Sequence, residues 1–110
     1  MDIFEKDKEE IRDLYKKDKI TCLNKCTKLL HSITDVGNFN IKYFCHYFIA
    51  RVFYDLDQYE QALKHAKIAK SYTETITDRM RIHWLMSYFS EKYDINKAIE
   101  FLEYALKDAC

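Results

Sequence analysis

The sequence of 110 residues contains no proline, a single glycine at position 37 and no net charge, with 18 basic and 18 acidic residues. The scarcity of proline and glycine excludes collagen-like, proline-rich and flexible-linker classes. It also excludes glycine-rich phosphate loops, because these need several residues whose backbone approaches an anion closely. The balanced charge argues against a broad electrostatic contact with nucleic acid or an anionic membrane.

Long hydrophobic runs are also absent. The N-terminus is too rich in charged residues for a signal peptide, and no uncharged apolar run approaches the roughly 18 residues that a transmembrane helix needs. We therefore expect one soluble domain, residues 1–110, that is cytoplasmic and has neither a nucleic-acid nor a membrane partner. In that compartment the four cysteines are expected to be reduced thiols.

Apolar periodicity predicts a chain made almost entirely of helix, since no stretch sustains the alternation typical of a strand. Turn-forming residues cluster only at 32–40. Short polar side chains bind the free N–H groups of a first helical turn, and the candidate caps are Asp18, Asn38, Asp57, Thr75 or Thr77, and Asp94. The predicted helices, which short turns would pair into three antiparallel hairpins, cover 2–16, 19–32, 39–55, 58–73, 77–91 and 95–109.

An internal repeat is the strongest pattern in the sequence, and its two copies are displaced by 36 residues, the distance from position 46 to position 82. Each copy begins with four residues at the helical spacing i, i+3, i+4, i+7, and a second stripe follows. The quartets are His46, Ile49, Ala50, Phe53 and Ile82, Leu85, Met86, Phe89; the second stripes are Tyr59, Ala62, Ala66, Ala69 and Ile95, Ala98, Leu102, Ala105. We expect Ala62 and Ala98 where the two helices of a hairpin approach most closely.

The small residues of the two stripes, together with Tyr59, resemble the tetratricopeptide repeat over residues 39–109. The first hairpin fits the repeat less well, because its first helix has an ambiguous register, although Cys22, Cys26 and Leu29 suit its second helix. The period and the absence of a closing proline also depart from the family pattern. The resemblance implies an all-α fold of six helices, in which three antiparallel hairpins stack as a short right-handed solenoid. The alternative is a six-helix bundle with chance periodicity.

In the tetratricopeptide family, the inner helix of each hairpin lines a concave groove that holds a peptide. Carried over by position, the groove residues of this chain are Phe44, Tyr47, Arg51, Tyr54, Met80, His83 and Ser87. Tyrosine suits such a surface because it combines a large contact area with few rotors and one polar tip. The resemblance implies a non-catalytic module that binds a protein or peptide in a regulatory or assembly interaction. The alternative is that these tyrosines cover a helix seam.

Two branches of the family bear on the identity of the ligand. The chaperone-binding branch holds a terminal carboxylate with a lysine and asparagine clamp, which is missing here, since the corresponding positions read Tyr47, Phe48, Arg51, Met80 and Trp84. Peptide-sensing bacterial regulators of the Rap and PlcR type carry more repeats and an effector domain. A fragment of such a regulator is an alternative function.

The cysteines and histidines do not indicate a metal or catalytic site. Cys22 and Cys26 lie four residues apart on one helical face, but a structural zinc site needs four ligands. We expect them to be small packing residues that match Ala62 and Ala66. We predict no catalytic residue, no metal and no cofactor. A small helical metal-binding protein or enzyme is the alternative.

The last predicted helix has an apolar arc wider than the roughly 100° that one packing seam needs. The surplus residues are Ile99, Leu106 and Phe101. Solenoids normally end in a helix with a polar outer face, so we expect the C-terminal hairpin to form a homodimer through a two-fold interface. The alternatives are that the chain bends back so that the first helix covers this face, or that a few exposed apolar residues are tolerated.

Overall fold

The computed structural model describes residues 3–33 and 37–91, and the regular structure in these two ranges is α-helix throughout. Its elements are α1 (Glu5–Lys17), α2 (Lys19–Ser32), α3 (Phe39–Asp55), α4 (Tyr59–Ser71) and α5 (Ile76–Glu91). The predicted all-α class is confirmed for this part of the chain, and each helix starts and ends within three residues of its predicted bounds. The predicted sixth helix at 95–109 lies outside the described residues. None of the five helices is both long and apolar enough to span a bilayer.

Three helices begin at predicted cap residues, and at two of them the side chain binds the first turn. The Asp18 carboxylate accepts hydrogen bonds from the Thr21 backbone N–H at 3.1 Å and the Thr21 hydroxyl at 2.7 Å. These bonds lower the pKa of Asp18 below its ordinary value. At α5 the Thr75 hydroxyl accepts from the Asp78 backbone N–H at 3.0 Å. Both side chains thus satisfy a backbone donor that the first helical turn leaves free.

The residues Asn38 and Asp57 have left-handed backbone conformations, with φ of 61° and 60°. Asn38 is the N-cap of α3 without a side-chain cap bond, so it acts through a backbone conformation that asparagine tolerates well. The prediction that Asp57 caps α4 is wrong, since Gln58 is the N-cap. Asp57 instead ends α3: its N–H bonds to the Tyr54 carbonyl at 3.0 Å, and the Gln58 N–H bonds to the Phe53 carbonyl at 2.8 Å. This pair of bonds is the Schellman pattern.

Packing follows the order of the chain, since each helix from α1 to α4 packs on the next one in sequence. Helix α3 divides the core into two clusters, one shared with α1 and α2 and the other with α4 and α5. The first cluster contains Ile11, Cys22, Cys26, Ile41, Cys45, Phe48, Ile49 and Val52. The second contains Tyr43, Ala50, Ala62, Leu63, Ala66, Ala69, Ile82, Met86 and Phe89.

Small side chains fill several of the fully buried positions in both clusters. Ala62 and Ala66 of α4 are fully buried, as are Cys22 and Cys26 of α2. Side chains of this size leave room for two helix backbones to approach closely, as the repeat pattern predicts. The interpretation of Cys22 and Cys26 as core packing residues is confirmed. Ala98, the other predicted small residue of a seam, lies outside the described residues.

Candidate binding face on helices α1, α3 and α5

Two adjoining cavities lie on the side of the molecule formed by α1, α3 and α5. The first, here called the central cavity, has a volume of about 370 Å³ and is lined by Tyr15, Tyr47, Arg51, Tyr54, Asp55, Leu85, Tyr88 and Phe89. The second, the α5 cavity, has a volume of about 600 Å³ and is lined by Tyr47, Thr77, Met80, Arg81, Trp84, Leu85 and Tyr88. Because the cavities share Tyr47, Leu85 and Tyr88, they form one continuous surface, which we call the aromatic face.

Helical spacing explains why these side chains lie together. On α3, Tyr47, Arg51 and Tyr54 follow the spacing i, i+4, i+7, which places them on one side of the helix. On α5, Trp84 and Tyr88 are one turn apart, and 51% and 58% of their surfaces are exposed. A contiguous exposed patch of large apolar side chains is typical of an interaction site on a folded protein.

The Arg51 guanidinium lies among the rings of the central cavity. Its central carbon is 4.5 Å from the centroid of the Tyr15 ring, 5.8 Å from that of Tyr47 and 5.7 Å from that of Phe48. These distances are within the range of cation–π attraction. Three rings from two helices therefore hold the guanidinium in place.

The Asp55 carboxylate is bound at the edge of the same cavity. It accepts a hydrogen bond from the Tyr15 hydroxyl, and the Lys19 ammonium lies 3.4 Å from one of its oxygens. Burial and the hydrogen bond to Asp55 raise the pKa of Tyr15 to about 12. At neutral pH Tyr15 is therefore protonated and acts as a hydrogen-bond donor.

Of the residues predicted to line a groove, the structure brings Tyr47, Arg51, Tyr54 and Met80 together on the aromatic face. Phe44 lies beside this face, where its ring packs 4.8 Å from that of Phe48 and 5.2 Å from the Arg12 guanidinium. That these residues contact a ligand stays a prediction.

The structure does not bring His83 and Ser87 to the aromatic face. Only 2% of His83 and 4% of Ser87 is exposed, and neither side chain lines the two cavities. The physical reason is the rotation of α5, which directs Trp84, Leu85 and Tyr88 toward the cavities and leaves His83 and Ser87 on a covered side.

Several residues of the aromatic face were not predicted from the sequence. Tyr15 comes from α1, whose register was ambiguous, and Asp55 enters because it follows Arg51 by one helical turn. The spacing of Trp84 and Tyr88, at i+4 and i+8 from the predicted groove residue Met80, indicates that they share its side of α5. Placing them on the face required the rotation of α5, which a single helix sequence does not fix.

A pair of histidines joins α3 to α4 on another side of α3. The Nδ1 atoms of His46 and His65 are 3.0 Å apart, and the two rings stack at 21°. One ring must donate an N–H and the other must accept it, so at least one ring is neutral. Burial and the charge of His65 lower the pKa of His46 to about 4, and burial together with Lys64 lowers the pKa of His65. No spacing within a helix pairs these two residues, because they lie on different helices.

Three thiols meet in the first core cluster. Cys22, Cys26 and Cys45 are free and fully buried. Hydrogen bonding with the other two thiols, together with burial, raises the pKa of Cys26. Within residues 3–33 and 37–91, no group of three or more histidine, cysteine, aspartate or glutamate residues is arranged to hold a metal ion.

The predicted self-association residues Ile99, Phe101 and Leu106 lie outside the described residues. No protein-family model matches the chain, and neither a curated protein nor a solved structure matches it. The aromatic face is therefore interpreted from its own geometry and chemistry.

Proposed function

We propose that this chain is a non-catalytic interaction module that binds a protein or peptide segment on the aromatic face. The observation that carries the proposal is the continuity of two cavities across α1, α3 and α5, with Trp84 and Tyr88 more than half exposed between them. Tryptophan, tyrosine and arginine are the residues that contribute most to binding energy at protein interfaces. The face holds all three types.

The same proposal includes the tetratricopeptide-like architecture. A sixth helix at 95–109 would complete a third hairpin with α5, and the three hairpins would stack as a short right-handed solenoid. Two observations support this arrangement: packing follows sequence order, as in repeat proteins, and fully buried alanines occupy the α4 stripe. We further propose a cytoplasmic location and a homodimer formed through Ile99, Phe101 and Leu106.

The chemistry of the central cavity favours binding over acid–base catalysis. An efficient general acid or base has a pKa near the working pH. The partly buried Tyr15 hydroxyl has a pKa of about 12 and donates its hydrogen bond to Asp55. The side chains of this cavity thus provide rings, hydrogen-bond donors and one guanidinium, which are the groups that hold a ligand in place.

Selection of binders to the purified chain from a display library of random 12-residue peptides tests the proposal. The sequence has one tryptophan, and Trp84 lines the α5 cavity, so its fluorescence reports occupation of the aromatic face. We expect selected peptides to shift this fluorescence. Tyr47→Ala and Tyr88→Ala should each weaken binding by roughly tenfold or more, because truncated hot-spot rings commonly lose about 2 kcal/mol.

Ile20→Ala is the matched control, since Ile20 is 52% exposed on α2, away from the face, and this change should leave peptide binding intact. Thermal melting by circular dichroism establishes that each variant is folded. If no peptide is selected, or if folded Tyr47→Ala and Tyr88→Ala variants bind as tightly as the parent, the proposal is wrong.

A further inference from the structure

The central cavity contains one cation whose charge no carboxylate of the described residues offsets. Among residues 3–33 and 37–91, the ion pairs join Lys19 to Asp55 and Lys25 to Asp7 and Glu10, and Arg51 takes part in none. Its guanidinium contacts rings and the Tyr15 hydroxyl. Arg51 therefore keeps its full charge toward the cavity.

The carboxylate nearest to this cation is already engaged. Asp55 accepts from the Tyr15 hydroxyl and is paired with the Lys19 ammonium at 3.4 Å. The charges of Lys19 and Asp55 cancel, so the charges of the described residues at the central cavity sum to the single positive charge of Arg51. A ligand with a negative group is attracted to this site, and a cationic side chain is repelled.

The ring contacts leave Arg51 able to bind an anion. A guanidinium has five N–H donors in a planar fork, so donors remain besides the one that reaches the Tyr15 hydroxyl. This fork matches the two oxygens of a carboxylate. Beside it, the α5 cavity offers an apolar surface between Trp84, Leu85 and Tyr88.

We infer that the occupant of the aromatic face is an acidic peptide segment. One of its aspartate or glutamate carboxylates binds the Arg51 guanidinium, and a neighbouring apolar side chain fills the α5 cavity. This inference rests on the proposed function and adds the chemistry of the ligand. A nucleic-acid strand fits less well, because its phosphates need a row of cations, whereas the lining of both cavities contains two arginines and one aspartate.

Selecting displayed peptides against the parent chain and against Arg51→Gln tests the inference. This substitution removes the charge but keeps a polar side chain. We expect peptides selected on the parent to be enriched in aspartate or glutamate next to an aromatic or aliphatic residue. Peptides selected on Arg51→Gln should keep the apolar enrichment and lose the acidic one. Arg12→Gln is the matched control, because Arg12 also lies over a ring, that of Phe44 at 5.2 Å, but does not line either cavity.

A double-mutant cycle measures the contact between Arg51 and the acidic residue of the peptide. Replacing the acidic residue of a selected peptide by its amide should weaken binding to the parent by about tenfold to a hundredfold, the range for a charge-assisted hydrogen bond. The same replacement should have little effect on binding to Arg51→Gln. Arg51→Lys, which keeps the charge and loses the fork, provides a second comparison if Arg51→Gln melts at a lower temperature than the parent.

Three results would overturn the inference. Selected peptides that are neutral or basic would contradict the acidic ligand while leaving peptide binding in place. An equal effect of the acid-to-amide replacement on the parent and on Arg51→Gln would assign the carboxylate to another residue. Tighter binding of a 12-nucleotide RNA than of any peptide, lost in Arg51→Gln, would replace the peptide by a nucleic acid. Failure to select any peptide and failure of the RNA to bind would instead contradict the proposed function.

Discussion

The half-buried pair of His46 and His65 makes the fold sensitive to mild acid. The pKa of His46 falls from 6.5 to about 4 through burial and the charge of His65. The folded chain thus binds fewer protons than the unfolded chain between these values, and its free energy of unfolding must fall as the pH falls through this window. The charge of Lys64 lowers the pKa of His65 further.

The size of the effect follows from the two pKa values. At about 1.4 kcal/mol per pH unit, the full shift of His46 corresponds to about 3 kcal/mol. His46 is only partly buried, so solvent screening reduces this to about 1–2 kcal/mol, of which about 1 kcal/mol is lost between pH 7 and pH 5. Ordinary carboxylates remain mostly ionised above pH 5, so the histidines dominate this interval.

Urea denaturation followed by circular dichroism at pH 7, 6 and 5 measures this dependence. We expect the free energy of unfolding of the parent to fall by about 1 kcal/mol from pH 7 to pH 5, and that of His46→Gln to fall much less. His31→Gln, which changes an exposed histidine of α2, should follow the parent. Parallel curves for the parent and His46→Gln would refute the role of the pair.

Three further predictions concern packing and assembly. Ala62→Leu inserts a larger side chain at a fully buried position and should lower the free energy of unfolding by about 1–3 kcal/mol. Lys67→Ala, on the exposed side of the same helix, should change it by less than about 0.5 kcal/mol. Equal urea midpoints for the two variants would contradict the register of α4. Tyr15→Phe removes the hydroxyl that binds Asp55 and should cost about 0.5–1.5 kcal/mol in the same assay, so an unchanged stability would mean that this bond adds nothing. Light scattering at micromolar concentration should give a dimer mass for the parent and a monomer mass for Phe101→Glu, and a monomer mass for both would exclude the homodimer.

Much of the candidate face was accessible from the sequence of α3 alone. Tyr47, Arg51 and Tyr54 recur on one side of that helix, and the structure places all three around the central cavity. The repeat pattern also predicts His83 and Ser87 as groove residues, but both are buried. The difference arises because a repeat pattern fixes which residues share a helical side but not how far each helix rotates against its neighbours.

The sequence by itself determined the helices of residues 3–33 and 37–91, two of their caps and the small residues of the core, because apolar spacing and first-turn hydrogen bonds are local. Only the tertiary structure decided which side chains from different helices meet. It placed Tyr15 against Asp55 across α1 and α3, His46 against His65 across α3 and α4, and Tyr54 against Tyr88 across α3 and α5. Such contacts depend on helix rotation and offset, which are set by the simultaneous packing of several side chains rather than by the spacing within any one helix.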